Sequence, residues 1–522
     1  MKFTIPITKR AIDIVADMDV ESLLHQIACP QIFTGRETPS TNSSGALFFH
    51  ASSRVELAAD IDKYKSVCTL PPLITTDMES GPGDMITDGT KFPSLMSAGV
   101  AGDEKLAYEM GKAAAIEGRY AGFNWSLSPC ADVAAIADSP MVSLRSAGND
   151  FDTVIKITSA YIKGLQENGM IATAKHFPGD GFDIYDQHLT VPQNPQSEDE
   201  WKNGSGKVFQ KLIDDGVMAV MPGHISLPAF DEIDSRTGFY PPASISKKLL
   251  TTLLKEKMGF DGLIVSDAVN MGGFAGYINR FDATAEFLEA GGDIVLFPHP
   301  EYFVKEMKIR LENGMIKKET LINRARRVVS LKDKLGLLDD NIKSPVKPDK
   351  KYHEKISKKI VDKCVRVIRD RDNILPVKIE KTTRIAHVVI SMHPNDETHL
   401  YDALENELKT ISNNVERLVY DYPEGIFERV YGKEFDLVIC SISAKHDYGT
   451  NVARLSGPAA RLMMTGWMKL GTPVIFINHF HPFITSEYKF STDTIINTFG
   501  STVYSMKRVV LGITGLQPFL SE

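Results

Sequence analysis

Residues 175–188 are the stretch of the sequence with the most capacity for chemistry, and they read Lys-His-Phe-Pro-Gly-Asp-Gly-Phe-Asp-Ile-Tyr-Asp-Gln-His. They follow Met170–Ala174, an apolar run typical of a buried strand, and their proline and glycines indicate a sharply turned loop. Asp186 and His188 lie two residues apart, so in an extended segment both side chains would face one way and the carboxylate could hold one imidazole nitrogen. The other nitrogen could then donate and accept a proton near neutral pH. An ordinary surface loop is the alternative for any one of these residues, but the whole cluster favours a functional site.

The elements that must position this loop are short apolar runs that alternate with helical patterns. Such alternation implies a parallel sheet, and eight units over about 300 residues favour a closed (β/α)8 barrel over an open sheet. After a helical lead-in over residues 1–25, the predicted helices are Asp103–Tyr120, Phe151–Asn168, Gly206–Asp215, Lys247–Met258 and Ala283–Ala290. The predicted strands are Cys29–Phe33, Gly45–Phe49, Leu73–Thr76, Phe123–Leu127, Ile171–Ala174, Val217–Val220, Leu263–Val265 and Ile294–Phe297.

Polar residues follow the ends of several predicted strands, which is where barrels of this kind carry their chemistry. Any one of them could be a structural cap at the end of its strand. Their coincidence at the same edge favours one shared pocket. They are Asp77, Glu79, Arg145, Lys175, His176, His224 and Asp267.

The C-terminal third of the chain has its own strand pattern. A stretch rich in Lys, Asp and Pro precedes it, which is typical of a linker. We therefore predict a catalytic barrel over residues 1–335, a linker over 336–356, and a smaller α/β sandwich domain over 357–522. The strand-like runs in this last part are Ile385–Ile390, Leu437–Ser441 and Pro473–Ile477.

Composition excludes several classes of partner. The chain has 522 residues, of which 43% are hydrophobic and 24% charged, as in ordinary globular proteins. Its net charge of −8 and the lack of a long basic block argue against nucleic acid and anionic membrane as partners. No apolar run approaches the roughly 18 residues of a membrane span.

The five cysteines are scattered and have no Cys-x-x-Cys spacing, which argues against a disulfide framework and a zinc site. We expect neither a metal nor a cofactor. Residues 1–20 have no signal-peptide core, so we expect a cytoplasmic protein, unless a leader has been removed. The sequence does not define the oligomeric state.

The 175–188 stretch resembles the signature of the β-N-acetylglucosaminidase (β-hexosaminidase) branch of glycoside hydrolase family 3, in its two-domain form. That signature is Lys-His-(Phe or Ile)-Pro-Gly-(His or Leu)-Gly, four free positions, then Asp-(Ser or Thr)-His. This chain matches its length and its fixed positions. It departs at Asp180 and at Gln187, and these departures concern sugar specificity rather than the family.

Other segments carry the resemblance over nearly the whole chain. Asp77–Gly81 resembles the family's Asp-Gln-Glu-Gly-Gly, whose Asp binds sugar hydroxyls, although Pro82–Met85 stands where an Arg normally follows. Val142–Gly148 is similar to the segment whose Arg contacts the sugar, and Gly259–Ala268 is similar to the approach to the family nucleophile. The resemblance implies a TIM-like barrel followed by an α/β sandwich domain.

The resemblance also implies site residues for a retaining glycosidase that releases terminal β-linked N-acetylglucosamine. Asp267 would be the nucleophile, and His188, oriented by Asp186, would be the acid/base, where most such enzymes use a second carboxylic acid. The expected substrate is a carbohydrate that contains N-acetylglucosamine. The residues expected to bind it are Asp77, Arg145, Lys175 and His176, with a core ion pair as the alternative role for Arg145 or Lys175.

Three alternatives stay open at this point. A neutral histidine repels phosphate less than a carboxylate does, so the same dyad could serve a β-glycoside phosphorylase. A related β-glycosidase with another sugar preference would use the same residues. A non-catalytic sugar-binding protein could keep the pocket, although retention of Asp267 together with the Asp186/His188 pair argues against it.

Overall fold

A computed structural model describes residues 1–36, 44–339, 344–393, 395–445, 449, 454–482 and 484–520. The chain divides into two compact units. The first comprises residues 1–91, 104–142 and 146–353, and the second comprises residues 92–103, 143–145 and 354–522. Of the helices within the described ranges, none combines the length and the apolar character needed to cross a lipid bilayer.

The first unit is built on parallel strands arranged in a ring. Strands β2 to β8 pair in chain order, β1 pairs with β9, and a parallel bridge from Val265 to Ile294 joins β8 to β9, so the sheet closes on itself. Pro30 separates β1 from β2; because proline has no backbone N–H, the first strand is broken there. The strands are β1 (Ala28–Cys29), β2 (Gln31–Ile32), β3 (Ala46–Phe49), β4 (Leu73–Thr76), β5 (Trp125–Ser126), β6 (Ile171–Phe177), β7 (Ala219–Pro222), β8 (Leu263–Ile264) and β9 (Val295–Leu296).

Helices surround this sheet. Their starts are encoded locally; for example, Ser53 and Glu56 form a capping box on α3. The segment Lys248–Lys257 is a π-helix, where the sequence predicts an ordinary helix. The helices are α1 (Lys9–Ala16), α2 (Val20–Gln26), α3 (Arg54–Val67), α5 (Glu104–Ala121), α6 (Phe151–Glu167), α7 (Glu198–Asn203), α8 (Ser205–Asp214), α9 (Gly272–Ala275), α10 (Arg280–Ala290), α11 (Phe303–Glu312) and α12 (Lys318–Lys334); α4 (Leu95–Ala101) belongs to the second unit.

The barrel interior is filled with side chains, so it is a packed core. Every residue of β6 is buried, as expected for a parallel strand that is covered on both faces. The interior cluster includes Phe48, Leu73, Trp125, Ile171, Met221, Leu263 and Leu296.

The second unit contains a six-stranded sheet with helices on both faces. The strand order is β10-β15-β14-β13-β11-β12, and only β10 is antiparallel to its neighbour among these pairings. The strands are β10 (Arg366–Asp370), β11 (Arg384–Ser391), β12 (Asn414–Leu418), β13 (Leu437–Ser443), β14 (Val474–Asn478) and β15 (Thr494–Asn497). The helices are α13 (Lys350–Cys364), α14 (Thr398–Lys409), α15 (Pro423–Tyr431), α16 (Gly457–Arg461), α17 (Ile484–Glu487) and α18 (Val503–Ile513).

Two apolar clusters stabilise this sheet. One includes Leu404 and Leu408 of α14 with Val509 of α18, and the other includes Ile426 and Val430 of α15. The predicted fold class, a (β/α)8 barrel followed by a smaller α/β sandwich domain, is confirmed. The domain limits drawn from the sequence stay a prediction, and residues 340–343 of the expected linker lie outside the described residues.

We expect limited proteolysis to cut first within residues 336–349. Residues 344–347 are exposed, with Val346 at 71%, whereas His353 and Ile356 in α13 are buried. His353 Nδ1 also lies 2.7 Å from Glu117 Oε1. Mass spectrometry of the first fragments would check this expectation. A first cut inside residues 179–188, or resistance of residues 336–349, would contradict it.

Candidate active site

The carboxyl ends of β4 to β8 bring polar side chains together at one edge of the barrel. Lys175 and His176 belong to β6 itself, and the remaining residues lie in the segments that follow their strands. Because parallel strands in a closed sheet end on the same side, residues far apart in the sequence meet there. The residues at this edge are Asp77, Glu79, Asp132, Lys175, His176, His224 and Asp267.

Lys175 bridges two carboxylates. Its Nζ lies 2.8 Å from Asp77 Oδ1 and 2.6 Å from Glu79 Oε1. Its side chain is only 4% exposed, whereas that of Asp77 is 34% exposed. The ion pair considered as an alternative for Lys175 therefore exists, and its partner is the carboxylate that the family resemblance assigns to the sugar.

Replacing Lys175 with Met should impair both stability and activity. A buried ammonium that is removed leaves two carboxylates without their counter-charge, a change that typically costs about 3–5 kcal/mol of unfolding free energy. Lys175→Arg, which keeps the charge, should lose less. Thermal melts and KM for an aryl glycoside would measure the two effects, and an unchanged KM in a folded Lys175→Met variant would argue against any contact with the substrate.

The turn after Asp77 differs from the family pattern in a specific way. Where an Arg normally follows, residues Pro82–Asp84 form a 3₁₀ turn, and Asp84 Oδ2 accepts a hydrogen bond from the Ser80 N–H at 2.5 Å. An acidic side chain therefore occupies this part of the loop.

His176 is held by Asp132, a residue that the sequence analysis did not identify. His176 Nδ1 lies 2.7 Å from Asp132 Oδ2, and since a carboxylate only accepts, Nδ1 donates. Asp132 Oδ1 also accepts from the backbone N–H groups of His176 and Asp180, at 3.1 and 2.8 Å. Burial raises the pKa of Asp132, but the charge of His176 and these hydrogen bonds outweigh it and lower the pKa. Asp132 therefore stays ionised and turns His176 Nε2 toward Asp267, whose Oδ2 lies 3.8 Å away.

Cys130 lies beside this pair. Its sulfur and one donor atom each of Asp132 and His176 lie within 4.8 Å of one another, a spacing that a metal ion could bridge. The hydrogen bond between Asp132 and His176 already accounts for the position of those two groups without a metal.

Asp267 presents an ionised carboxylate with one oxygen left bare. Its Oδ1 accepts from the Ala268 N–H at 2.8 Å, while no described residue donates a hydrogen bond to its buried Oδ2. Burial raises the pKa of Asp267, but the nearby imidazoles of His176, His224 and His188 together lower it below its ordinary value. Burying an anionic oxygen without a hydrogen bond costs free energy. Such an arrangement is typical of a catalytic carboxylate.

Asp186 and His188 form a hydrogen-bonded pair. Asp186 Oδ1 lies 2.7 Å from His188 Nδ1 and accepts the His188 backbone N–H at 2.8 Å. Asp186 is fully buried, whereas the His188 side chain is 23% exposed. The segment is a turn rather than extended, because Leu189 and Thr190 both donate backbone N–H groups to the Asp186 carbonyl. The two side chains therefore meet by a local turn and not, as expected, by strand alternation.

His224 is fully buried and engaged at both ring nitrogens. Nδ1 lies 2.8 Å from Ser244 Oγ, and Nε2 lies 3.0 Å from the Ala268 carbonyl. Burial lowers the pKa of His224. Its ring thus supports the segment that follows Asp267.

Arg145 belongs to the second unit. It lies in the 3₁₀ turn Ser143–Arg145 and is buried. Its expected contact with the sugar stays a prediction.

Several known proteins resemble this chain in sequence and in fold. The family model described as "Glycosyl hydrolase family 3 N terminal domain" matches residues 19–331. The chain is 26% identical to a β-N-acetylglucosaminidase/β-glucosidase of Cellulomonas fimi, over 97% of this chain and 93% of that protein. It is 32% identical to a β-hexosaminidase of Methylobacillus flagellatus, over 47% of this chain and 69% of that protein. The structure of a β-glucoside phosphorylase superposes with a TM-score of 0.89 at 25% identity, over 98% of this chain and 95% of that one.

Proposed function

Because this chain belongs to glycosyl hydrolase family 3 and is a glycoside hydrolase, we propose that it removes terminal β-linked N-acetylglucosamine-type sugars with retention of configuration. The observation that carries the proposal is the bare, ionised oxygen of Asp267 on the same barrel edge as the loop that holds the Asp186/His188 pair. A retaining glycosidase needs a nucleophile and a proton donor that flank the scissile bond.

The first step forms a covalent glycosyl-enzyme. Asp267 Oδ2 attacks the anomeric carbon, and the bond from that carbon to the leaving oxygen breaks. His188 Nε2 gives its proton to the leaving oxygen, while Asp186 accepts the Nδ1–H and stabilises the imidazolium before transfer.

The second step reverses these roles. His188, now neutral, takes a proton from a water molecule as that water attacks the anomeric carbon. The bond to Asp267 breaks and restores the carboxylate, so the sugar leaves with its original configuration.

The remaining polar residues would hold the sugar. Lys175 and Asp77 form a charged pair that can donate to and accept from hydroxyl groups, and His176 Nε2 lies 3.8 Å from Asp267 Oδ2.

Phosphorolysis is the second candidate. The structural match to a β-glucoside phosphorylase extends over nearly the whole chain, which favours this alternative specifically. An acid/base built on an imidazole adds no negative charge of its own, so phosphate can approach in place of water.

Product analysis separates these possibilities. Aryl β-N-acetylglucosaminide and aryl β-glucoside would each be incubated with and without inorganic phosphate, and the products followed by NMR. The proposal predicts free β-N-acetylglucosamine as the first product, at a rate independent of phosphate. A glycosyl phosphate product would show a phosphorylase, faster release of glucose would show another sugar preference, and no turnover of either glycoside would favour a sugar-binding protein.

A further inference from the structure

Gln187 stands between Asp186 and His188 and is buried, with only 1% of its surface exposed. Its side-chain Oε1 accepts the backbone N–H of His224 at 2.9 Å. Since a backbone N–H can only donate, this contact fixes which end of the Gln187 amide faces His224. The turn that carries the Asp186/His188 pair is thus tied to the residue that follows β7.

The same turn is tied to the segment that follows Asp267. The Gly272 N–H donates to the His188 carbonyl at 2.7 Å, and the Gly273 N–H donates to the Gln187 carbonyl at 3.1 Å. A side chain at Gly272 would collide with the Leu189 carbonyl, and one at Gly273 would lie 2.5 Å from the Thr190 carbonyl. Only glycine permits the two backbones to approach so closely.

His224 connects these two contacts. Its N–H holds Gln187, and its ring Nε2 lies 3.0 Å from the carbonyl of Ala268, next to Asp267. Two hydrogen bonds of His224 therefore connect the turn that carries His188 to Ala268, the residue beside Asp267. They join the loops of β6, β7 and β8, which carry the two groups that must act on opposite ends of one glycosidic bond.

We propose that Gln187, together with Gly272 and Gly273, forms a latch that positions His188 relative to Asp267 before substrate binds. Gln187 is a positioning residue in this scheme, and the inference rests on the proposed role of His188 as acid/base. A Ser or Thr, which the family signature has at this position, carries its hydroxyl two bonds nearer the backbone and could not reach the His224 N–H from the same turn. The latch is thus a feature of this sequence.

Variants on both sides of the latch test it kinetically. Gln187→Met keeps the length but loses the acceptor, Gln187→Glu keeps an acceptor oxygen, and Gly272→Ala breaks the latch from the other loop. Displacing a catalytic group by about 1 Å can cost up to about 100-fold in rate, so we expect a loss of roughly 10- to 100-fold for poor leaving groups in Gln187→Met and Gly272→Ala. Activated aryl glycosides, which need less proton donation, should lose less than about 3-fold. Gln187→Glu should recover most of the loss, and Asn270→Ala, at an exposed position of the same loop, should resemble the wild type.

Backbone amide hydrogen exchange tests the latch without any catalysis. The amides of His224, Gly272 and Gly273 should exchange faster in Gln187→Met than in the wild type, while that of Ala386 in β11 should not change. Unchanged exchange at the three amides would overturn the latch, and so would equal rate losses for good and poor leaving groups in Gln187→Met if His188→Ala does discriminate between them. If exchange responds but His188→Ala shows no dependence on the leaving group, the latch stands and the role proposed for His188 is wrong.

Discussion

Asp267→Asn should lower the turnover number by several orders of magnitude, on the order of 10⁴-fold or more. The amide has no anionic oxygen, so the covalent step loses its nucleophile. The wild-type carboxylate suits that step, because no described residue donates a hydrogen bond to Oδ2 and the neighbouring imidazoles, that of His176 foremost, outweigh burial and lower the pKa of the carboxyl. The substitution preserves shape and leaves Oδ1 able to accept from Ala268. We therefore expect the variant to fold and to bind sugar.

A carboxylate at the other end of the same strand provides the control. Asp261 precedes β8 and forms an ion pair with Arg327 at 2.9 Å, and its side chain is 51% exposed. Asp261→Asn should keep near-wild-type turnover, because exposed ion pairs contribute little to stability. Comparison of the two variants separates loss of the nucleophile from a general effect of removing a charge near β8.

Covalent labelling checks the assignment directly. A 2-deoxy-2-fluoro glycoside slows hydrolysis of the glycosyl-enzyme, so the labelled peptide should contain Asp267. In Asp267→Ala, added azide should restore turnover of an activated glycoside and give the α-glycosyl azide, because it attacks from the face that the carboxylate had occupied. A label on another residue would contradict the assignment.

The barrel could be predicted because nearly all of its strand residues are buried and therefore form short apolar runs. Polar residues directly after such runs must gather at one edge once the parallel sheet closes. The break in the first strand was less visible, although Pro30 between β1 and β2 is a local signal for it. Helix α3 lacks a clear apolar stripe, so periodicity missed it, but its capping box at Ser53 and Glu56 was a usable signal.

Partners within the site were harder to predict because they come from distant strands. Asp132 holds His176 across 44 positions, and Gln187 reaches His224 across 37. A carboxylate within the mostly apolar stretch after β5 was a signal for Asp132, since buried charges are usually paired. The sequence marks Gln187 only as a departure from the Ser or Thr of the family signature, and its neighbours along the chain do not indicate which residue it binds.

The Asp186/His188 contact was anticipated for a physical reason that does not apply. Strand alternation suggested that the two side chains share a face, whereas the turn brings both the ring and the backbone N–H of His188 to one carboxylate oxygen. An Asp side chain that bonds the backbone two residues ahead is a common turn geometry. The Asp-x-His spacing therefore allows the contact both in an extended strand and in a turn, and the contact alone does not show which of the two is present.

His188→Ala should cripple hydrolysis of natural glycosides while sparing activated aryl glycosides. Removing a general acid typically costs about 10²- to 10⁴-fold when the leaving group needs a proton, and much less when it does not. Asp186→Ala should follow the same trend less steeply, because its buried carboxylate acts through the ring that it holds at 2.7 Å. The double variant should lose little more than His188→Ala, since the two residues work as one unit.

Rates for a series of aryl leaving groups would measure these losses. Equal losses across the series would contradict the assignment and make Glu79 the next candidate for the proton donor. Lys175 Nζ lies 2.6 Å from the Glu79 carboxylate, and a cation at that distance favours the ionised form, which has no proton to donate. The geometry of the two groups thus favours His188 over Glu79 as the proton donor.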